Sequence, residues 1–134
     1  MSRVDLLRLR SALEASWDSE TSYERATKPD VPAFGQCYPT ARVVQHFFPE
    51  TDIAEGEVWT GRETEKHFWN VVDHGGTAFH IDLTWQQFPF GSSVRSYAVR
   101  DRSNLQDSAE TLKRVAILLS RVQAALSPAP EDPA

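Results

Sequence analysis

The chain has 134 residues, 40% of them hydrophobic and 10% aromatic, which predicts one globular domain with a modest core. Its 14 Lys and Arg against 19 Asp and Glu give a net charge of −5, so the average surface would repel nucleic-acid phosphates. No stretch resembles a membrane span or a signal peptide, and the single cysteine fits a reducing compartment. We therefore expect a cytoplasmic protein that has neither a nucleic-acid nor a membrane partner.

The N-terminal part is predicted to be a helix followed by a long connection. Ser2 and Asp5 form a capping pair for an amphipathic helix that carries leucines at helical spacing up to about Ser16. Residues 17–35 have no periodicity and are rich in turn-forming residues. Because long irregular segments are often functional and this one directly precedes Cys37, we expect it to form one wall of a substrate cleft.

A second short helix is predicted over residues 38–48, with Cys37 at its N-terminus. Pro39 suits the first helical turn, where its missing N–H is not needed, and Pro49 ends the helix.

The middle of the chain changes to the alternating pattern of β-strands. The predicted strands are residues 53–60, 66–73 and 77–84, with 90–100 as a candidate fourth. Gly75 and Gly76 lie between the second and third strands, a spacing typical of a tight hairpin. These segments predict a small antiparallel sheet.

The chain ends in a predicted helix and a polar tail. Residues 107–126 have the helical period, with an apolar stripe. That stripe consists of Leu112, Val115, Leu119, Val122 and Leu126. Residues 127–134, SPAPEDPA, are rich in Pro and acid and are expected to be disordered. The predicted domain is therefore residues 1–126.

Cys37 is the first candidate functional residue. A thiol at a helix N-terminus faces unpaired N–H groups and the positive end of the helix dipole, which favour the thiolate. The backbone N–H of Cys37, or the Gln36 side chain, is a candidate donor to an oxyanion. Because a buried cysteine often serves only as a small apolar side chain, Cys37 alone leaves a structural interpretation open.

The predicted hairpin supplies candidate partners. A two-residue glycine turn places Trp69 opposite Asp82, so that His67 becomes a diagonal neighbour of Asp82 on one face. An acid within an apolar strand needs a partner to offset desolvation, and His67 can hydrogen-bond to it. By strand parity Trp69 and His80 share this face, where Trp69 could shield the pair and His80 could contact substrate.

Cys37, His67 and Asp82 follow the order of a papain-like nucleophile, base and orienting acid. Short strings around them are PAFGQC followed by TA in residues 32–41, HFWN at 67–70, IDLT followed by QF in 81–88, and RDR at 100–102. In order and spacing they resemble the YunG-like family of small bacterial proteins, over roughly residues 17–126. That resemblance implies a compact papain- or transglutaminase-like fold.

These inferences predict an α+β domain in which the helix that begins at Cys37 packs on a small antiparallel sheet between N- and C-terminal helices. We expect thiol-dependent acyl chemistry through a thioester, by an amidase, peptidase, deamidase or transglutaminase-like transferase. Its substrate would be an amide- or ester-bearing small molecule or protein side chain. No cofactor is expected, and the four His and one Cys lack the compact spacing of a metal site. The alternative is a non-catalytic binding protein that retains the fold with a structural cysteine.

Overall fold

A computed structural model of the chain describes residues 4–127 and has an α+β architecture, as predicted. Its elements are α1 (Leu6–Ser16), α2 (Cys37–Phe47), β1 (Asp52–Trp59), β2 (Thr64–His74), β3 (Thr77–Ile81), β4 (Ser93–Val99) and α3 (Ala109–Leu126). The candidate fourth strand is thus present as β4. Residues 128–134, where the sequence predicts a disordered tail, lie outside the described residues.

The helices α1 and α3 each begin where a side-chain oxygen accepts a backbone N–H of the first turn, whereas α2 begins without a side-chain cap. The Asp5 carboxylate accepts the N–H of Arg8 at 2.8 Å, so Asp5 is itself the N-cap of α1, whereas its predicted partner Ser2 lies outside the described residues. The Ser108 hydroxyl accepts the N–H of Thr111 at 3.1 Å. This cap starts α3 two residues later than the sequence predicted.

The four strands form one antiparallel sheet in the order β3-β2-β1-β4. Gly75 and Gly76 connect β2 to β3 with φ values of 63° and 87°, which glycine adopts without the steric cost of a Cβ. This turn sets the register, in which Asn70 pairs with Ile81 and Val71 pairs with His80. The predicted hairpin register is confirmed over the whole of β3.

The third strand is shorter than predicted, because it ends at Ile81 rather than at residue 84. Oδ1 of Asp82 accepts hydrogen bonds from the backbone N–H of Thr84 at 3.2 Å and from its hydroxyl at 3.4 Å. This local side-chain bonding competes with the sheet ladder. The chain therefore turns into a short 3₁₀ helix, Trp85–Gln87, that leaves the sheet.

The second helix, α2, packs between the other two helices and the sheet. The cluster that α2 forms with α1 and α3 comprises Leu9, Ala12, Leu13, Val43, Val44, Leu118 and Val122. The cluster toward the sheet comprises Tyr38, Ala41, Ile53, Leu105 and Phe68. In α3 the predicted stripe is wrong at Leu112, which is 51% exposed, whereas Leu118 is fully buried. Within residues 4–127 no helix is both long and apolar enough to cross a bilayer.

Candidate active site

Cys37 is the first residue of α2, and the chain reaches it through a constrained turn. Gly35 has a φ of 72°, and a Cβ at this position would lie 2.1 Å from Oγ of Ser22. Only glycine combines this backbone conformation with so close an approach. The connection that precedes α2 is therefore held directly against the start of the helix that carries the thiol.

The partly buried Cys37 opens onto a cleft of about 1200 Å³. One wall is the connection before α2, which contributes Tyr23, Glu24, Lys28, Val31, Phe34 and Gly35. The strands β1 and β2 and the turn between them contribute Glu55, Thr60, Arg62, Glu63, Glu65, Lys66 and Phe68. The prediction that the connection over residues 17–35 lines a cleft beside Cys37 is thus confirmed.

His67 on β2 is completely buried and bonds to Asp82. Its Nε2 donates to Oδ2 of Asp82 at 2.7 Å, the short distance of a charge-assisted hydrogen bond. Because Thr84 occupies the other carboxylate oxygen, the orientation of the Asp82 carboxylate is determined from both sides. The structure therefore brings together His67 and Asp82, the candidate base and acid that the hairpin register placed on one face.

The second ring nitrogen, Nδ1 of His67, is buried without a hydrogen-bond partner of normal geometry among the described residues. Cys37 is nevertheless close enough to interact with the imidazole. Burial lowers the pKa of His67, but the bond to Asp82 and the interactions with Cys37 outweigh burial and raise it to about 9. At neutral pH the imidazole therefore retains its proton, and an imidazolium beside a thiol stabilises the thiolate.

Aromatic side chains enclose the imidazole. The ring of Phe88 meets that of His67 edge-on at 89°, with centroids 4.7 Å apart, and the Trp85 ring lies 6.0 Å away at 62°. Trp69 stacks on the imidazole with a centroid separation of 5.5 Å. Trp85 and Phe88 follow β3 and were not among the predicted site residues. Part of the signal was present, since Phe88 belongs to the QF string that follows IDLT.

Gln36 is fully buried, and both ends of its amide make hydrogen bonds. Oε1 accepts from the Thr21 hydroxyl at 2.8 Å, and Nε2 donates to the Asp18 carbonyl at 3.0 Å. These bonds hold the connection against α2. They direct the amide away from capping the first turn, and the oxyanion role of Gln36 stays a prediction.

Trp69 and His80 lie behind the imidazole, on the face that strand parity predicted. The indole Nε1 of Trp69 donates to Nδ1 of His80 at 2.9 Å. Of the described residues, those that line the Cys37 cleft do not include Gln36, Trp69 or His80. Contact of these three with a substrate therefore stays a prediction.

A second polar cluster, formed by Tyr38, Arg42 and Asp107, links α2 to the segment before α3. The Tyr38 hydroxyl donates to Oδ1 of Asp107, and Nε of Arg42 donates to Oδ2 of Asp107 at 2.8 Å. Burial and the Asp107 carboxylate raise the pKa of Tyr38 above its ordinary value. This cluster, which the sequence did not predict, attaches the segment before α3 to the helix that begins at Cys37.

In the described part of the chain, no three His, Cys, Asp or Glu side chains come together as a possible metal site.

Comparison with known proteins adds one match. Neither the curated proteins nor the solved structures include a significant match to this chain. The model of the family described as "YunG protein" matches residues 5–127, which include Cys37, His67 and Asp82. The chain therefore belongs to the YunG family.

Proposed function

We propose that this protein is a thiol-dependent acyl-transfer enzyme in which Cys37 is the nucleophile. The observation that carries the proposal is a continuous path from the cleft, through a buried imidazole, to a partly buried carboxylate. Cys37 lines the cleft, His67 interacts with Cys37, and His67 donates to Asp82 at 2.7 Å. Such a chain of nucleophile, base and orienting acid is an arrangement that supports thiol acyl transfer.

We further propose that the fold is a compact relative of the papain- and transglutaminase-like folds. Three features support this proposal: the thiol begins a central helix, the imidazole lies on a neighbouring antiparallel strand, and the carboxylate follows the next strand of the hairpin.

In the first step, the Cys37 sulfur attacks the carbonyl carbon of an amide or ester, and the carbonyl π electrons move onto oxygen. The N–H of Cys37 at the start of α2 is placed to donate to this oxyanion, aided by the helix dipole. The oxyanion then re-forms the carbonyl while the bond to the leaving group breaks. His67 transfers its proton to the leaving amine or alkoxide, which leaves a thioester on Cys37.

In the second step, water or an amine attacks the thioester carbonyl. The neutral imidazole of His67 removes the proton of this nucleophile, and the bond between sulfur and the acyl carbon breaks. The products are an acid or a transferred amide, together with the original thiolate and imidazolium. Asp82 accepts from Nε2 throughout and so keeps Nδ1 directed toward Cys37. A reducing cytoplasm would keep the thiol available.

The proposal is tested by the pH dependence of Cys37 alkylation with iodoacetamide. An ordinary cysteine with a pKa of about 8.5 loses roughly 75-fold in reactivity between pH 9 and pH 6.5. We expect the wild type to lose only a few-fold, because the imidazolium stabilises the thiolate. In the His67→Gln variant Cys37 should behave as an ordinary thiol, whereas His74→Ala, at the exposed end of β2, should match the wild type.

The same proteins should be mixed with p-nitrophenyl acetate. Wild type should release p-nitrophenol and carry an acetyl group on Cys37, detectable by mass spectrometry, and His67→Gln should do so far more slowly. An ordinary alkylation profile in the wild type, with no acetylation of Cys37, would instead support a binding protein with a structural cysteine.

A further inference from the structure

The indole of Trp69 forms the inner wall against which the imidazole rests. Trp69 lies two residues after His67 on β2, on the same face, and is only 4% exposed. The two rings are close to parallel, at 28°, with centroids 5.5 Å apart. The position of the imidazole therefore depends on the position of this indole.

The indole occupies space that a glycine leaves open on the neighbouring strand. Gly56 on β1 pairs with His67 in the sheet register. A Cβ at position 56 would lie 2.5 Å from Cη2 and 2.8 Å from Cζ3 of Trp69. Because real Cβ atoms do not approach this closely, the packing of Trp69 requires glycine at this position.

The polar edge of the indole is held by His80 from β3. Nε1 of Trp69 donates to Nδ1 of His80 at 2.9 Å, and the His80 ring meets that of Tyr97 edge-on at 5.2 Å. A buried indole N–H is unfavourable without an acceptor. Removing the His80 acceptor therefore favours displacement or hydration of the indole. The imidazole of His67 would then lose the ring that packs against it.

We propose that His80 is a positioning residue for His67 and acts through the indole of Trp69. This inference rests on the proposed function for its catalytic meaning. His80 is exposed on β3 and lies outside the lining of the Cys37 cleft, so its action on the site is indirect. The line of contact runs from the His80 imidazole to the indole N–H, and from the indole face to His67.

The decisive measurement is the exchange with water of the His67 Nε2 proton, observed by NMR. This proton lies in the 2.7 Å bond to Asp82 and is buried, so it should exchange slowly in the wild type. His80→Ala should speed its exchange at least tenfold. His80→Asn should restore slow exchange, because its Oδ1 lies one bond beyond Cγ, as Nδ1 does, and can accept the indole N–H.

Two further variants separate this route from a general loosening of the sheet. Trp69→Phe keeps an aromatic ring but lacks the N–H, so adding His80→Ala to it should change the exchange rate less than twofold. His74→Ala changes another exposed histidine of the same hairpin and should leave exchange unchanged. Thermal melts of all variants identify any that fail to fold. If His80→Ala fails to fold, proton exchange in His80→Asn still tests the inference.

Slow exchange in a folded His80→Ala, or fast exchange in a folded His80→Asn, would overturn the inference. The alkylation profile of Cys37, measured on the same variants, distinguishes this failure from failure of the proposed function. If His80→Ala exposes the His67 proton while wild-type Cys37 reacts as an ordinary thiol, positioning stands and the enzyme proposal falls. If the positioning role and the proposed function both hold, His80→Ala should slow alkylation of Cys37 at pH 6.5 by about threefold to tenfold relative to pH 9.

Discussion

The bond between His67 and Asp82 should make the stability of the fold depend on pH. The pKa of His67 is raised from 6.5 to about 9, so the folded protein holds a proton that the unfolded chain releases in this interval. The resulting stabilisation is fully present below pH 6.5 and is lost as pH rises through 9. At about 1.4 kcal/mol per pKa unit, it amounts to about 3 kcal/mol.

The Asp82→Asn substitution removes the carboxylate that opposes the effect of burial. The desolvation of the fully buried imidazole is then opposed only by the interactions with Cys37, so the pKa of His67 should fall toward 6.5. We expect Asp82→Asn to be about 2 to 3 kcal/mol less stable than wild type near pH 7. The two proteins should approach each other in stability above pH 9, where the wild-type imidazole is neutral.

Urea unfolding followed by tryptophan fluorescence at half-unit intervals from pH 6 to pH 9.5 measures this difference. Asp73→Asn is the matched control, because it removes an exposed carboxylate from β2, the strand that carries His67, and should keep the wild-type pH dependence. Parallel stability profiles for wild type and Asp82→Asn would refute the reasoning, since they would mean that the His67 proton does not depend on Asp82.

Three further substitutions test the surroundings of the site. Gly56→Ala should destabilise the fold by about 2 kcal/mol in urea unfolding, because the new Cβ would meet the Trp69 indole at 2.5 Å. Gly35→Ala should lower the free energy of unfolding by about 2 to 4 kcal/mol, because Gly35 has a φ of 72° and a Cβ there would lie 2.1 Å from Oγ of Ser22. It should also increase proteolysis of the connection before α2, and unchanged cleavage would argue against a rigid cleft wall. Cys37→Ala should abolish acetylation by p-nitrophenyl acetate while changing the thermal stability by less than about 1 kcal/mol, and residual acetylation at another residue would contradict the assignment of the nucleophile.

Local features of the sequence predicted the pairing at the centre of the candidate site. Two successive glycines at positions 75 and 76 favour a two-residue turn, and this turn sets which residues of the flanking strands face each other. Because side chains alternate with a period of two, the register alone placed His67 and Asp82 on the same face. The start of a helix near Cys37 was likewise visible from Pro39, which suits a first helical turn, and from the helical spacing that follows.

Tertiary structure decided what covers and holds these residues. The closure of His67 by Trp85 and Phe88 depends on β3 ending at Ile81 so that the next segment folds over the imidazole. Similarly, the helical period could not show that α3 buries Leu118 and exposes Leu112, because the packed face depends on where the other helices lie. Turn geometry and side-chain alternation act over a few residues and can be inferred from sequence, whereas burial and long-range hydrogen bonds depend on segments that meet only in the folded chain.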